Sequence, residues 1–115
     1  MARRLTILDE AEFSRICERI DAGTAGRADL RAATKHLLGL LQRKAPGHSV
    51  EVRVPPFAAI QCIEGASHTR GTPPAVVETD PQTWIALARG RLAWDEAAVH
   101  ASGERSDLSP LLPLV

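Results

Sequence analysis

Residues 49–63 read Ser-Val-Glu-Val-Arg-Val-Pro-Pro-Phe-Ala-Ala-Ile-Gln-Cys-Ile. Val50, Val52 and Val54 alternate with Glu51 and Arg53, the period of a strand with one face buried and one in water. Pro55-Pro56 removes two backbone donors in a row and breaks the strand. Phe57 to Ile63 is then apolar apart from Gln61, which predicts a second, better-covered strand. Glu51, Arg53 and Gln61 are expected on the wet face of the sheet.

Upstream, the period is that of helices. Asp9 is placed to cap a first helix, with Glu12 at the capping-box position three residues on. Phe13, Ile16, Cys17 and Ile20 follow at helical spacing on one face, and Gly23 and Gly26 end the run. A longer helix carries Leu30, Ala33, Leu37, Leu38 and Leu41 on one stripe, with Arg31, Lys35, Gln42 and Arg43 facing away, and Pro46-Gly47 stops it. Downstream, Gly65 to Pro74 reads as a loop and Ala75 to Thr79 as a third strand. Asp80-Pro81 is a strong helix start, a capping carboxylate followed by proline at the first helical position. Trp84, Leu87 and Ala88 form that helix's inner face, and Gly90 ends it. Trp94 to Val99 is expected as a short helix and His100 to Ser102 as a short strand. Ser106 is placed to cap a last turn carrying Leu108, Leu111 and Leu112.

Helices and strands in separate blocks predict an α+β fold: a mainly antiparallel sheet of four to five strands, covered by helices on one face. At 115 residues the chain is sized for a single domain, 1–115. Lys plus Arg equals Asp plus Glu at 14 each, which argues against a nucleic-acid binder, because neutralising phosphates needs a basic surplus. Aromatic residues are 3% of the chain, too few for a base-stacking platform. The sequence shows neither a signal peptide nor an apolar run long enough to span a bilayer, so a cytoplasmic protein without stable membrane insertion is expected.

Catalytic chemistry finds little support. His36, His48, His68 and His100 are scattered, and no histidine pair or His–Cys pair has metal spacing. Cys17 and Cys62 lie in apolar stretches and read as packing residues. No glycine-rich phosphate loop is present. No metal and no cofactor is therefore expected. The dense polar cluster is Ser67-His68-Thr69-Arg70-Gly71-Thr72, either a solvated loop or a mouth in which Arg70 pairs an anionic group.

The C-terminal half carries a family resemblance. Asp80-Pro81-Gln82-Thr83-Trp84-Ile85-Ala86-Leu87-Ala88-Arg89-Gly90 is followed by Leu92, Trp94, Ala97-Ala98, Val99, Ala101-Ser102-Gly103-Glu104 and Leu108. This resembles the closing half of the sterol carrier protein 2 fold: an aromatic-bearing helix, a short alanine-containing helix, a strand and a last leucine-rich turn. With Arg-Val-Pro-Pro-Phe-Ala at 53–58 and His68-Thr69-Arg70-Gly71-Thr72-Pro73-Pro74, the chain is similar to the short stand-alone sterol-carrier-like proteins of actinobacteria. The resemblance is specific over 53–107 and weak over 1–30. Glu104 departs from the Asp or Asn common in the wider family.

The resemblance implies an apolar tunnel between sheet and helices and non-covalent binding or transfer of a lipid or other apolar small molecule. The candidate wall residues are Leu37, Leu41, Phe57, Ile60, Trp84, Leu87, Leu111 and Leu112, with His68, Thr69 and Arg70 at a polar mouth. A second reading keeps the fold but not the tunnel, and makes the chain a protein-interaction module. A third, an enzyme using His68 and Arg70 on a small acid, has the least behind it.

Overall fold

Capping chemistry fixes where the helices begin. In the computed structural model, which describes residues 5, 7–65, 75–103 and 106–115, the Asp9 carboxylate accepts the Glu12 N–H at 2.8 Å and opens α1, Glu10–Ala22. Gly23, at φ +75°, closes it. The second helix, α2, runs Arg27–Lys44. The Asp29 carboxylate accepts from the Gly26 N–H at its start and also takes both ends of the Arg19 guanidinium, at 2.7 and 2.9 Å. That bond holds Asp29 below its ordinary carboxylate pKa and ties α1 to α2.

Four strands follow: β1 (Val50–Val54), β2 (Ala58–Cys62), β3 (Ala75–Glu78) and β4 (His100–Ser102), with α3 (Pro81–Ala88) between β3 and β4. Their order across the sheet is β2-β1-β3-β4. Val52 stands opposite Ile60 in an antiparallel pair, and on its other side opposite Val77 in a parallel pair. The last pair, β3 with β4, is antiparallel, with Val77 opposite Ala101.

The sheet is therefore mixed, not mainly antiparallel, and has four strands among the described residues instead of four to five. The reason lies in strand order. β2 runs back along one edge of β1 and β3 joins the other edge, so β3, opposite in direction to β2, points the same way as β1. Alternation of side chains identifies a strand but carries no information about its neighbour's direction.

The inner face of the sheet is Val50, Val52, Val54, Ile60, Cys62, Ala75 and Val77. Helices α2 and α3 cover it with Leu37, Leu38, Leu41, Trp84, Ile85, Leu87 and Ala88, all buried. Glu51 and Gln61 are half-buried on the opposite face and Arg53 is exposed there, as the alternation predicts. Burial pushes the Cys62 thiol up to about 11, so it stays protonated and inert at neutral pH.

Asp80 caps α3, accepting from the Thr83 N–H at 2.9 Å and from the Thr83 hydroxyl at 2.7 Å. Partial burial pushes its carboxyl upward, but these bonds outweigh that and hold it below the ordinary carboxylate range. Asp80→Ala is expected to lower stability by about 1 kcal/mol, as read from a urea melt. The sign with pH follows. A carboxylate depressed by folding contributes stability above its unfolded pKa, and that contribution is lost as pH falls through the folded value. The gap between wild type and variant should thus close in acid.

Two local expectations are corrected. Trp94 to Val99 is not a helix; a single 3-10 turn, Trp94–Glu96, gives way to extended backbone at Ala97. The extended course frees the Ala98 carbonyl to accept the Thr79 hydroxyl at 2.9 Å, while Trp94 and Val99 both pack on the core. The last turn is Ser109–Leu111, with Leu108, not Ser106, at its N-cap; the Asp107 carboxylate ahead of it accepts the Ser109 N–H at 2.9 Å. Ser106 instead donates back to the Gly103 carbonyl.

Candidate functional site

The candidate wall residues fall into three groups. Leu37, Leu41, Trp84 and Leu87 lie inside the helix–sheet sandwich, each no more than 2% exposed. Phe57 and Ile60 stand at its β2 edge and line an open groove of about 650 Å³ together with Lys35, Gln42 and Ala58. The Arg27 guanidinium sits 5.1 Å from the centre of the Phe57 ring. Leu111 and Leu112 are half-buried against the core. They belong to a C-terminal segment that crosses the far end of the helical layer. Lys44 Nζ donates to the Leu111 carbonyl at 2.8 Å, and the Leu114 N–H donates to the Ala88 carbonyl at 2.8 Å. His68, Thr69 and Arg70 lie outside the described residues.

Leu37, Leu41, Trp84 and Leu87 are closed to solvent in the interior. Trp84 reaches from α3 to α2, where its indole N–H donates to the Thr34 carbonyl at 3.3 Å. Beside it, Thr34 Oγ1 is fully buried and has no hydrogen-bond partner among the described residues. The signal was present in the sequence, because position 34 falls on the same α2 stripe as Leu30, Leu37, Leu38 and Leu41. A hydroxyl there meets an apolar interior. Buried polar groups are nearly always satisfied, so an orphan of this kind calls for an explanation.

No three His, Cys, Asp or Glu side chains come together as a metal site among the described residues. Cys17 is half-buried on α1, and burial raises its thiol pKa despite the opposing charges of Arg89 and Arg91. His48 is hydrogen-bonded to Gln61 at 2.8 Å on the wet side of the sheet.

Residues 26–114 match the family described as bacterial SCP ortholog. The chain belongs to the sterol carrier protein 2-like family. The match begins at the residue that precedes α2, so α1 lies ahead of it, while the sheet, α2, α3 and most of the C-terminal segment lie inside it. No curated protein matches the chain. No helix among the described residues is long and apolar enough to cross a membrane.

Proposed function

We propose that this sterol-carrier-like chain binds and releases one apolar small molecule, a lipid or fatty acyl compound, without covalent chemistry, and works in the cytoplasm. The site is the helix–sheet interior walled by Leu37, Leu41, Phe57, Ile60, Trp84, Leu87, Leu111 and Leu112, with His68, Thr69 and Arg70 at its mouth. The observation that carries this reading is the orphaned Thr34 hydroxyl in an otherwise apolar interior. A bound ester or alcohol oxygen satisfies it, and the ligand's chain replaces side-chain contacts that move aside.

Because the interior side chains are closed to solvent, entry requires displacement. The C-terminal segment is the cheapest part to move, since Leu111 and Leu112 are only half-buried and its polar ties to the helices are few. The interaction-module reading finds less support. Val115, at 54% exposure, is the large apolar side chain left open to solvent among the described residues, whereas a partner site needs a contiguous apolar patch.

Thr34→Val tests the reading with two opposite signs. Removing an unsatisfied buried hydroxyl should raise the stability of the free protein by about 1–3 kcal/mol. The same change should weaken binding of methyl palmitate, followed by tryptophan emission, by about three- to tenfold, the worth of one hydrogen bond. A variant that is less stable than wild type and binds the ester equally well would show that the hydroxyl serves the fold alone.

A further inference from the structure

Helix α2 presents a second face, turned away from the sheet, on which His36 and Gly39 stand one turn apart. His36 is 5% exposed, and its Nδ1 accepts the Leu8 N–H at 2.9 Å. Its ring lies 4.3 Å from the Phe13 ring of α1, centre to centre. At Gly39 the absence of a side chain lets Leu5 and Ile7 close on the helix; a Cβ there would stand 3.1 Å from Ile7 Cγ1 and 3.4 Å from the Leu5 carbonyl oxygen. One imidazole and one glycine thus hold Leu5, Ile7, Leu8 and the start of α1 against the outer side of α2.

The geometry points to a proton-operated latch: protonation of His36 releases Leu5, Ile7, Leu8 and the Phe13 end of α1 from α2. The bond from Leu8 requires an unprotonated Nδ1. Imidazolium carries N–H on both ring nitrogens, so Nδ1–H then faces the Leu8 N–H, donor against donor. A buried cation without a partner is expensive, and the ring gains water only by leaving the Phe13 contact.

The surrounding charges set the direction. Arg43 of α2 acts on His36 along the helix. Arg89 and Arg91, beyond the end of α3, line the same groove as His36, Phe13 and Cys17, and Glu10 is the acid that lines it. Asp21 offsets Arg89 and Arg91, pairing with the first at 3.0 Å and lying 3.7 Å from the second. Burial first, then Arg43, hold the imidazole below its ordinary value of 6.5. For a histidine depressed by folding, the unfolded chain binds the extra proton more readily, so the cost to the latched state begins as pH falls below the unfolded pKa and is complete below the folded one. Release joins two grooves, one lined by Leu5, Ile7 and Gly39 and the other by Leu8, Phe13 and His36. The inference stands independently of whether the interior binds a lipid.

Amide hydrogen exchange on the full chain, corrected for intrinsic rates, tests it between about pH 7.5 and about pH 5. The Leu8 amide should lose protection by about tenfold or more, with a midpoint matching the His36 imidazole resonance, while the Val52 amide in the core keeps its own. His36→Gln, which retains an acceptor but does not titrate, should make Leu8 protection independent of pH. Leu8 protection that stays flat while His36 titrates would overturn the latch. So would equal loss at Val52, which marks global acid unfolding, or an unchanged pH dependence in His36→Gln. If that variant does not fold, the paired Leu8 and His36 midpoints of the wild type decide the matter.

Discussion

Replacing Trp84 with alanine is expected to cost about 3–5 kcal/mol, a large share of the ~5–15 kcal/mol that a small domain has in total. The indole is 1% exposed, bridges α3 to the Thr34 carbonyl of α2, and lies over a sheet whose inward Val50, Val52 and Val54 have no solvent contact. Truncation removes that contact area and leaves a cavity, and the close-packed neighbours Leu37, Leu38 and Leu41 relax into it only in part. Trp84→Phe should recover most of the packing but not the bond to Thr34. Denaturant melts of the two variants read both contributions. A loss below about 2 kcal/mol for Trp84→Ala would reveal that an empty space already exists beside the ring.

The second large effect is expected at Gly47. Its φ is +150°, and a Cβ there would fall far inside contact distance of the Ile63 carbonyl carbon and oxygen and the Glu64 nitrogen. All three are backbone atoms, and Ile63 is pinned on both sides. Its N–H donates to the Ala45 carbonyl at 2.7 Å, and its carbonyl accepts the Ser49 N–H at 3.0 Å and the Ser49 hydroxyl at 2.6 Å. These bonds knit the end of α2, the start of β1 and the end of β2 into one junction, so relief of the clash must break at least one. Gly47→Ala should cost about 3–5 kcal/mol. Gly23→Ala is the control: φ is also positive, at +75°, but nothing lies within 4 Å of the new Cβ, so only the conformational penalty of about 1 kcal/mol is expected. Equal melts for the two variants would show that the junction at Ile63 is not rigid.

Much of this architecture is legible in the chain. Asp9 and Asp80 announce their helices because capping is a local event, decided within four residues. The alternation from Val50 to Val54 announces both the strand and its buried side, because the pleat has a period of two. What escapes is decided over longer distances. That β3 runs parallel to β1 depends on β3 joining the edge of β1 opposite β2, and no side-chain pattern encodes it. That Ser106 turns back instead of capping the last turn depends on where the Gly103 carbonyl comes to lie.

The site follows the same division. Leu37, Leu41, Trp84 and Leu87 fall on inward faces by periodicity, and the helix–sheet sandwich buries them. Periodicity cannot say whether an inward side chain lines a space or fills one. The places of Thr34 and His36 are hidden from the sequence for related reasons. A threonine on an apolar stripe ordinarily bonds its own helix, and a lone histidine carries no signal until its partner, 28 residues away in the chain, is seen against it.

A lipid carrier of this fold must accept an apolar molecule into its interior. Native mass spectrometry of the protein, purified without detergent, tests this most directly, since it reports retained ligand and stoichiometry together. The prediction is a single-molecule adduct on the monomer mass, extractable into organic solvent and restored after stripping by addition of methyl palmitate, with a change in tryptophan emission. A bare monomer mass before and after addition of the ester, with emission unchanged, would contradict it.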